Sequence, residues 1–183
     1  MDPDTGVLDP PADPGRDHTS GAPDAPAVLV VYGDYECPYS RRAFDSIRQV
    51  RRRLDDGRLL IAFRQFPLDK HPHARIAAEA AESAALQDRF WDMHAALYGH
   101  QRALEPDDLR GYAEELGLDV DRFDADLAAG RAAARVDEDL DTGRRNGVGG
   151  TPTIFVNGRR YTGFYDPETL TDVLAEAGDG TRA

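Results

Sequence analysis

Ala27-Val28-Leu29-Val30-Val31-Tyr32-Gly33-Asp34-Tyr35-Glu36-Cys37-Pro38-Tyr39-Ser40 passes from a continuous apolar run into a helix start. The run from Ala27 to Tyr32 is rich in β-branched residues and does not alternate, which predicts a central strand buried on both faces. After Cys37, the residues Ala43, Phe44, Ile47, Val50 and Leu54 recur at helical spacing. Arg41, Arg42, Arg48, Arg51 and Arg52 take the opposite face, so the segment reads as an amphipathic helix closed by Asp55-Asp56-Gly57. Leu59 to Phe66 returns as a second apolar strand, and the opening unit is β-α-β. The arginine face is expected to pair with the protein's own acidic surface.

Toward the C-terminus the pattern turns helical. Ala74 to Leu86 is alanine-rich, with Ile76, Ala77, Ala80 and Ala84 on one face. Phe90, Trp91, His94, Leu97 and Tyr98 predict a short aromatic helix whose rings pack inward. Pro106 suits a first helical position, and Leu109, Tyr112, Ala113 and Leu116 follow before Gly117. Val120, Phe123 and Leu127 predict another short helix before Gly130, and a longer one runs from about 132 to 146. Thr153-Ile154-Phe155-Val156, Asn157-Gly158 and Arg159-Arg160-Tyr161 form a hairpin signature with a type I′ turn. Asp166-Pro167-Glu168 then opens a last helix with Leu170, Val173 and Leu174 inward. The order β-α-β, helical block, α-β-β-α predicts one α/β domain over 27–178, with a helical insertion over roughly 72–131 and a short tail at 179–183.

Toward the N-terminus, Asp2, Asp4, Asp9, Asp13, Asp17 and Asp24 interleave with Pro3, Pro10, Pro11, Pro14, Pro23 and Pro26. Such a composition predicts a disordered tail over 1–26, because it offers too little apolar surface to offset chain entropy. No basic start precedes an apolar run, and no stretch approaches the roughly 20 apolar residues of a membrane span, so the chain reads as cytoplasmic. A net charge of −12 argues against nucleic-acid and anionic-membrane partners, which need a basic patch. The chain is long enough to bury a core without disulfide staples.

Cys37 is the only cysteine, so no intrachain disulfide can form. A Cys37–Cys37 homodimer would require an exposed thiol. The residue lies where a strand yields to a helix, and free N–H groups and the helix dipole there stabilise a thiolate. Cysteines in such settings can reach pKa values of about 3.5 to 7.5. Pro38 suits the first turn, having no N–H to leave unpaired. Asp34 and Glu36 oppose a further negative charge. Position alone leaves both a reactive and a structural cysteine open. His71, His73 and His94 with one thiol match no zinc spacing, so no metal is assigned.

Asp34-Tyr35-Glu36-Cys37-Pro38-Tyr39-Ser40 resembles the active-site segment of DsbA-like thiol oxidoreductases, which have a thioredoxin-like fold with a helical insertion. Phe66-Pro67-Leu68 with His71-Pro72-His73-Ala74, Phe90-Trp91-Asp92-Met93-His94, and Gly147 to Gly158 through Thr151-Pro152 resemble later stretches of that family in the same order. The resemblance covers about 27–177. It implies that Cys37 is a nucleophile, that Pro38 and Tyr39 shape the helix start, and that a cis Thr151–Pro152 bond faces the cysteine. Thr151 and Pro152 would then dock an extended substrate. Read alone, Pro152 suits an ordinary trans proline entering a strand equally well.

Ser40 departs from the family's Cys-x-x-Cys pattern. It cannot store a disulfide or resolve a mixed one, though its hydroxyl could hydrogen-bond the sulfur. The resemblance therefore implies a monothiol oxidoreductase acting on protein or small-molecule thiols and disulfides. Glutathione or mycothiol would serve as co-substrate, with no other cofactor. Two alternatives stand beside it: a non-turnover capture module, and a kappa-class glutathione-dependent transferase or isomerase, whose serine occupies the position of Cys37.

Overall fold

A computed structural model describes residues 6–55 and 57–180. In chain order the elements are β1 (His18–Gly21), β2 (Ala27–Gly33), α1 (Pro38–Arg53), β3 (Leu59–Gln65), α2 (Ala74–Ala85), α3 (Phe90–Gly99), α4 (Pro106–Glu115), α5 (Val120–Ala128), α6 (Arg131–Arg145), β4 (Thr153–Val156), β5 (Arg159–Tyr161) and α7 (Pro167–Gly180). The sheet runs β1-β3-β2-β4-β5. Only β2 and β3 pair in parallel, with Ala27 opposite Leu59 and Gly33 opposite Gln65; the other pairs are antiparallel.

The unalternating run in β2 follows from its central place. Leu29 is 0% exposed and Tyr32 0% exposed although they point to opposite faces, because helices cover both sides. Tyr32 reaches α6, its phenol 3.2 Å from Thr142 Oγ1. On that face α6 presses close at Gly143, where any added Cβ would meet the Phe66 ring at 2.6 Å. Helix α1 lies against α7, and α2 against α6 and α3. Asn157 and Gly158, both at positive φ, make the turn between β4 and β5.

The expectation of a disordered tail over 1–26 is corrected for residues 6–26; residues 1–5 lie outside the described residues. Leu8 N donates to Gly158 O at 2.7 Å and Arg160 N to Gly6 O at 2.7 Å, which lines this segment along β5. Further on, β1 pairs with β3 at the opposite edge of the sheet. One stretch therefore guards both sheet edges.

Between those edges Asp17 meets Arg64, which is 0% exposed near the C-terminal end of β3. Arg64 Nε donates to Asp17 Oδ1 at 2.9 Å, and Nη2 donates to the Pro10 and Pro11 carbonyls, each at 3.0 Å. A buried guanidinium must be paired, and the acidic, proline-rich segment supplies the partners. Burial alone would raise the Asp17 pKa, but its hydrogen bonds to Arg64 and the Asp13 backbone, with the nearby guanidinium charge, hold it below the ordinary value. The predicted C-terminal tail over 179–183 is corrected at 179 and 180, which α7 includes, and 181–183 lie outside the described residues.

Candidate active site

Cys37 is the N-cap of α1, in extended conformation, with Pro38 in the first turn. The first helical hydrogen bond runs from Arg41 N to Cys37 O, so the N–H groups of Tyr39 and Ser40 precede the ladder and can face an anion at the cap. The thiol donates to the carbonyl oxygen of Thr151 at 3.3 Å. The Thr151–Pro152 peptide bond is cis. Residues 114 positions apart thus meet across the site, one from the start of α1 and one from the turn into β4.

The cysteine is not openly exposed; it retains 3% of its accessible surface. It sits at the floor of a shallow groove walled by Tyr39, Leu68, Lys70, Gly149 and Thr151. Tyr39, 56% exposed, stands at the rim with the Arg42 guanidinium 5.6 Å from its ring centre. Pro38 is exposed beside it.

Asp34 does more than oppose charge. Its Oδ1 accepts from the N–H groups of Glu36 at 2.7 Å and Cys37 at 3.2 Å. Its Oδ2 accepts from Leu68 N at 2.9 Å and pairs with His71 Nδ1 at 2.7 Å. The buried carboxylate ties the cysteine loop to the loop after β3. Glu36 is likewise engaged: one oxygen accepts from His73 N at 2.7 Å, and the other pairs with His73 Nδ1 at 3.2 Å, which together with Glu105 raises the His73 pKa. Gln101 donates from Nε2 to the carbonyls of Tyr35 at 2.6 Å and Cys37 at 3.0 Å, clamping the same turn from the helical insertion.

Sequence reading missed Gln101, which carries no local signal. For Asp34 a signal existed: a carboxylate two and three residues before backbone N–H groups forms an Asx turn.

Ser40 is 2% exposed, and its Oγ accepts from Asp34 N at 3.3 Å, with the Tyr98 phenol beside it. The hydroxyl is thus directed to the loop rather than to the sulfur, which corrects the expected Ser40–Cys37 contact. The arginine face of α1 also differs from expectation. Arg41 pairs with Asp45 at 2.9 Å, whereas Arg48 lies over Phe44 and Arg51 donates to Ser20 Oγ. Long guanidinium side chains here cover aromatic surface instead of seeking carboxylates. His94 is not near the sulfur; it is buried among rings, with Nδ1 2.9 Å from the Tyr35 hydroxyl. Among the described residues no group of three or more His, Cys, Asp or Glu side chains is arranged to hold a metal.

A strand-to-helix cysteine facing a cis-proline turn is the arrangement implied above, and a family model described as Thioredoxin matches residues 13–176. The chain belongs to the thioredoxin family. Its fold is that of the DsbA-like members, α/β with a five-stranded sheet. BdbD from Bacillus subtilis superposes with a TM-score of 0.84 at 23% identity, covering 95% of this chain and 99% of that one. A thioredoxin-like oxidoreductase from Silicibacter pomeroyi DSS-3 gives 0.79 at 26% identity, over 91% and 94% of the two chains. The catalytic domain of Proteus mirabilis ScsC gives 0.76 at 20% identity, over 90% of each.

Curated relatives carry a different name. The Na(+)/H(+) antiporter NhaA 1 of Salinispora arenicola is 48% identical over 94% of this chain, and NhaA 1 of Mycolicibacterium gilvum 44% over 93%. This thioredoxin-family chain spans only 26% and 28% of those proteins, about a quarter of their length. Among the described residues no helix is long and apolar enough to cross a membrane.

Proposed function

We propose that this protein is a monothiol thiol–disulfide oxidoreductase. The Cys37 thiolate attacks one sulfur of a substrate disulfide, and the other sulfur leaves as a thiolate. A small thiol such as glutathione or mycothiol then attacks the mixed disulfide and restores Cys37. The observation that carries this reading is the 3.3 Å contact between Cys37 Sγ and Thr151 O beside the cis Pro152 bond. In the resting thiol that carbonyl accepts the S–H hydrogen bond. Once the thiolate forms, the carbonyl is free to accept a backbone N–H from an extended substrate lying along Thr151 and Pro152.

Ser40 weighs against a serine-dependent glutathione transferase, because its side chain is buried at 2% exposure with its oxygen turned to Asp34 N–H. A Cys37–Cys37 homodimer is disfavoured by the groove, since both sulfurs would have to leave their floors. The antiporter name of the longer relatives belongs, on this reading, to the rest of their length. Crossing a bilayer takes spanning helices or a closed barrel, and this sheet is open, β1 and β5 being its outer strands.

The test is incubation with oxidised glutathione followed by mass spectrometry, with Cys37→Ser as control. One glutathione on Cys37, removed by reduced glutathione with regeneration of the free thiol, is the expected outcome. An adduct that reduced glutathione cannot remove would leave only the capture-module reading. Absence of any adduct would overturn the thiol chemistry altogether.

A further inference from the structure

A cavity of about 90 Å³ lies between α3 of the helical insertion and α1, over β2 and β3; Cys37 lies in the separate thiol groove, whereas Ser40 lines the cavity. Its walls include Ile47, Ile61, Phe63 and Trp91, and its exposed side is formed by Arg48 and Arg51. Water meets this largely apolar wall through the mouth, so an apolar group that displaces it is favoured there. For scale, an engineered apolar cavity of about 150 Å³ binds benzene, so about 90 Å³ accommodates a tail of roughly four carbons.

The two arginines give the cavity a sign. The chain carries 34 acidic and 22 basic residues, and Arg41, about two to three turns away on the same helix, finds Asp45. Yet among the described residues neither Arg48 nor Arg51 forms an ion pair. Arg48 lies 5.4 Å over the Phe44 ring and Arg51 donates to the Ser20 hydroxyl, leaving most guanidinium N–H groups facing solvent at the mouth. The inner end is apolar in character. His94, which also lines it, has Nδ1 satisfied by Tyr35, and burial together with the nearby His18 lowers its pKa to about 3, so it presents no charge.

We infer that this cavity binds a short-chain aliphatic carboxylate, its tail against Ile47, Ile61, Phe63 and Trp91 and its carboxylate on Arg48 and Arg51. The recognition is that of an amphipathic anion: apolar burial for the chain, charge-assisted hydrogen bonds for the head. The proposal does not rest on the thiol chemistry proposed above, although Ser40, one turn along α1 from Cys37, lines the cavity. Trp91 is the single tryptophan, so its fluorescence reports occupancy directly.

The experiment titrates the full chain with sodium propanoate, butanoate, pentanoate and octanoate at constant ionic strength, with 1-pentanol as uncharged probe. Trp91 emission should change saturably, and affinity should rise roughly fourfold per methylene up to pentanoate and then level off. The pair Arg48→Gln and Arg51→Gln should weaken pentanoate by about tenfold or more while leaving 1-pentanol within about twofold, as the loss of charge-assisted bonds requires. An emission change linear in pentanoate concentration would overturn the site. So would pentanoate binding unaltered in the double variant, or 1-pentanol binding as tightly as pentanoate.

Discussion

The Cys37 sulfur lies 3.3 Å from the Thr151 carbonyl oxygen, a hydrogen bond that joins the first turn of α1 to the turn entering β4. Both partners are held from behind. Asp34 fixes the backbone at Cys37, and Thr153 Oγ1 donates to Gly150 O at 2.8 Å to shape the turn that presents Thr151. The thiol is therefore positioned by the sheet and both flanking loops, not by its own helix alone.

Because Cys37 keeps only 3% of its surface, access should depend on reagent size. Iodoacetamide is expected to alkylate the native protein, whereas a polyethylene-glycol maleimide should react slower by an order of magnitude or more than with the urea-unfolded chain, since it must await local opening. Gel-shift time courses with and without urea measure this. Equal rates in the two states would mean the sulfur is open to solvent.

Ser40→Cys should create an internal disulfide with Cys37 under oxidising conditions, since position 40 sits one turn along α1 from the N-cap. The folded protein would then lose both thiols to Ellman's reagent, while losing about 1–3 kcal/mol from the missing acceptor for the buried Asp34 N–H. Two titratable thiols persisting after oxidation would show that the two positions do not face each other.

Asp17→Ala should destabilise the fold by about 3–5 kcal/mol, because it leaves the buried Arg64 guanidinium without its carboxylate. Urea denaturation gives the number. The paired Asp17 has a lowered pKa, so its stabilising contribution is present above the ordinary carboxylate range and disappears as pH falls through the folded value. A cost below about 1 kcal/mol would mean that the N-terminal segment does not hold Arg64 in solution.

His94 should act in the acid range. Its folded pKa, lowered from 6.5 to about 3 by burial and by the neighbouring His18, means that the unfolded chain binds this proton first as pH falls. Stability relative to His94→Phe should therefore decline from about pH 6.5 downward, by at most about 1.4 kcal/mol per pH unit, and stop declining near pH 3. Comparing the two proteins isolates this group from Asp139, whose pKa burial raises to about 6 and which works in the opposite direction. Parallel curves for the two proteins would place the imidazole in contact with water.

Local pattern determined a great deal here. The β-branched run from Ala27, the helical spacing after Cys37, Pro106 and Pro167 at helix starts, and Asn157-Gly158 between two short strands each act within a few residues, so they are legible one segment at a time. The same holds for the placement of Cys37 at a helix N-terminus and for the motif around Pro152.

Tertiary structure decided what those segments do to one another. Arg64, a charge after five apolar residues of β3, is the one sign in the sequence that residues 6–26 are not a free tail. Its partners in that segment, however, lie 47 and more positions away, at Asp17, Pro10 and Pro11. In the same way Asp34 reads as a charge hostile to a thiolate until Leu68 and His71 arrive to share it, and Ser40 as a partner for sulfur until Asp34 N–H takes its oxygen. Propensity and periodicity are short-range properties of the chain, whereas burial of a charge is settled only when distant segments close around it.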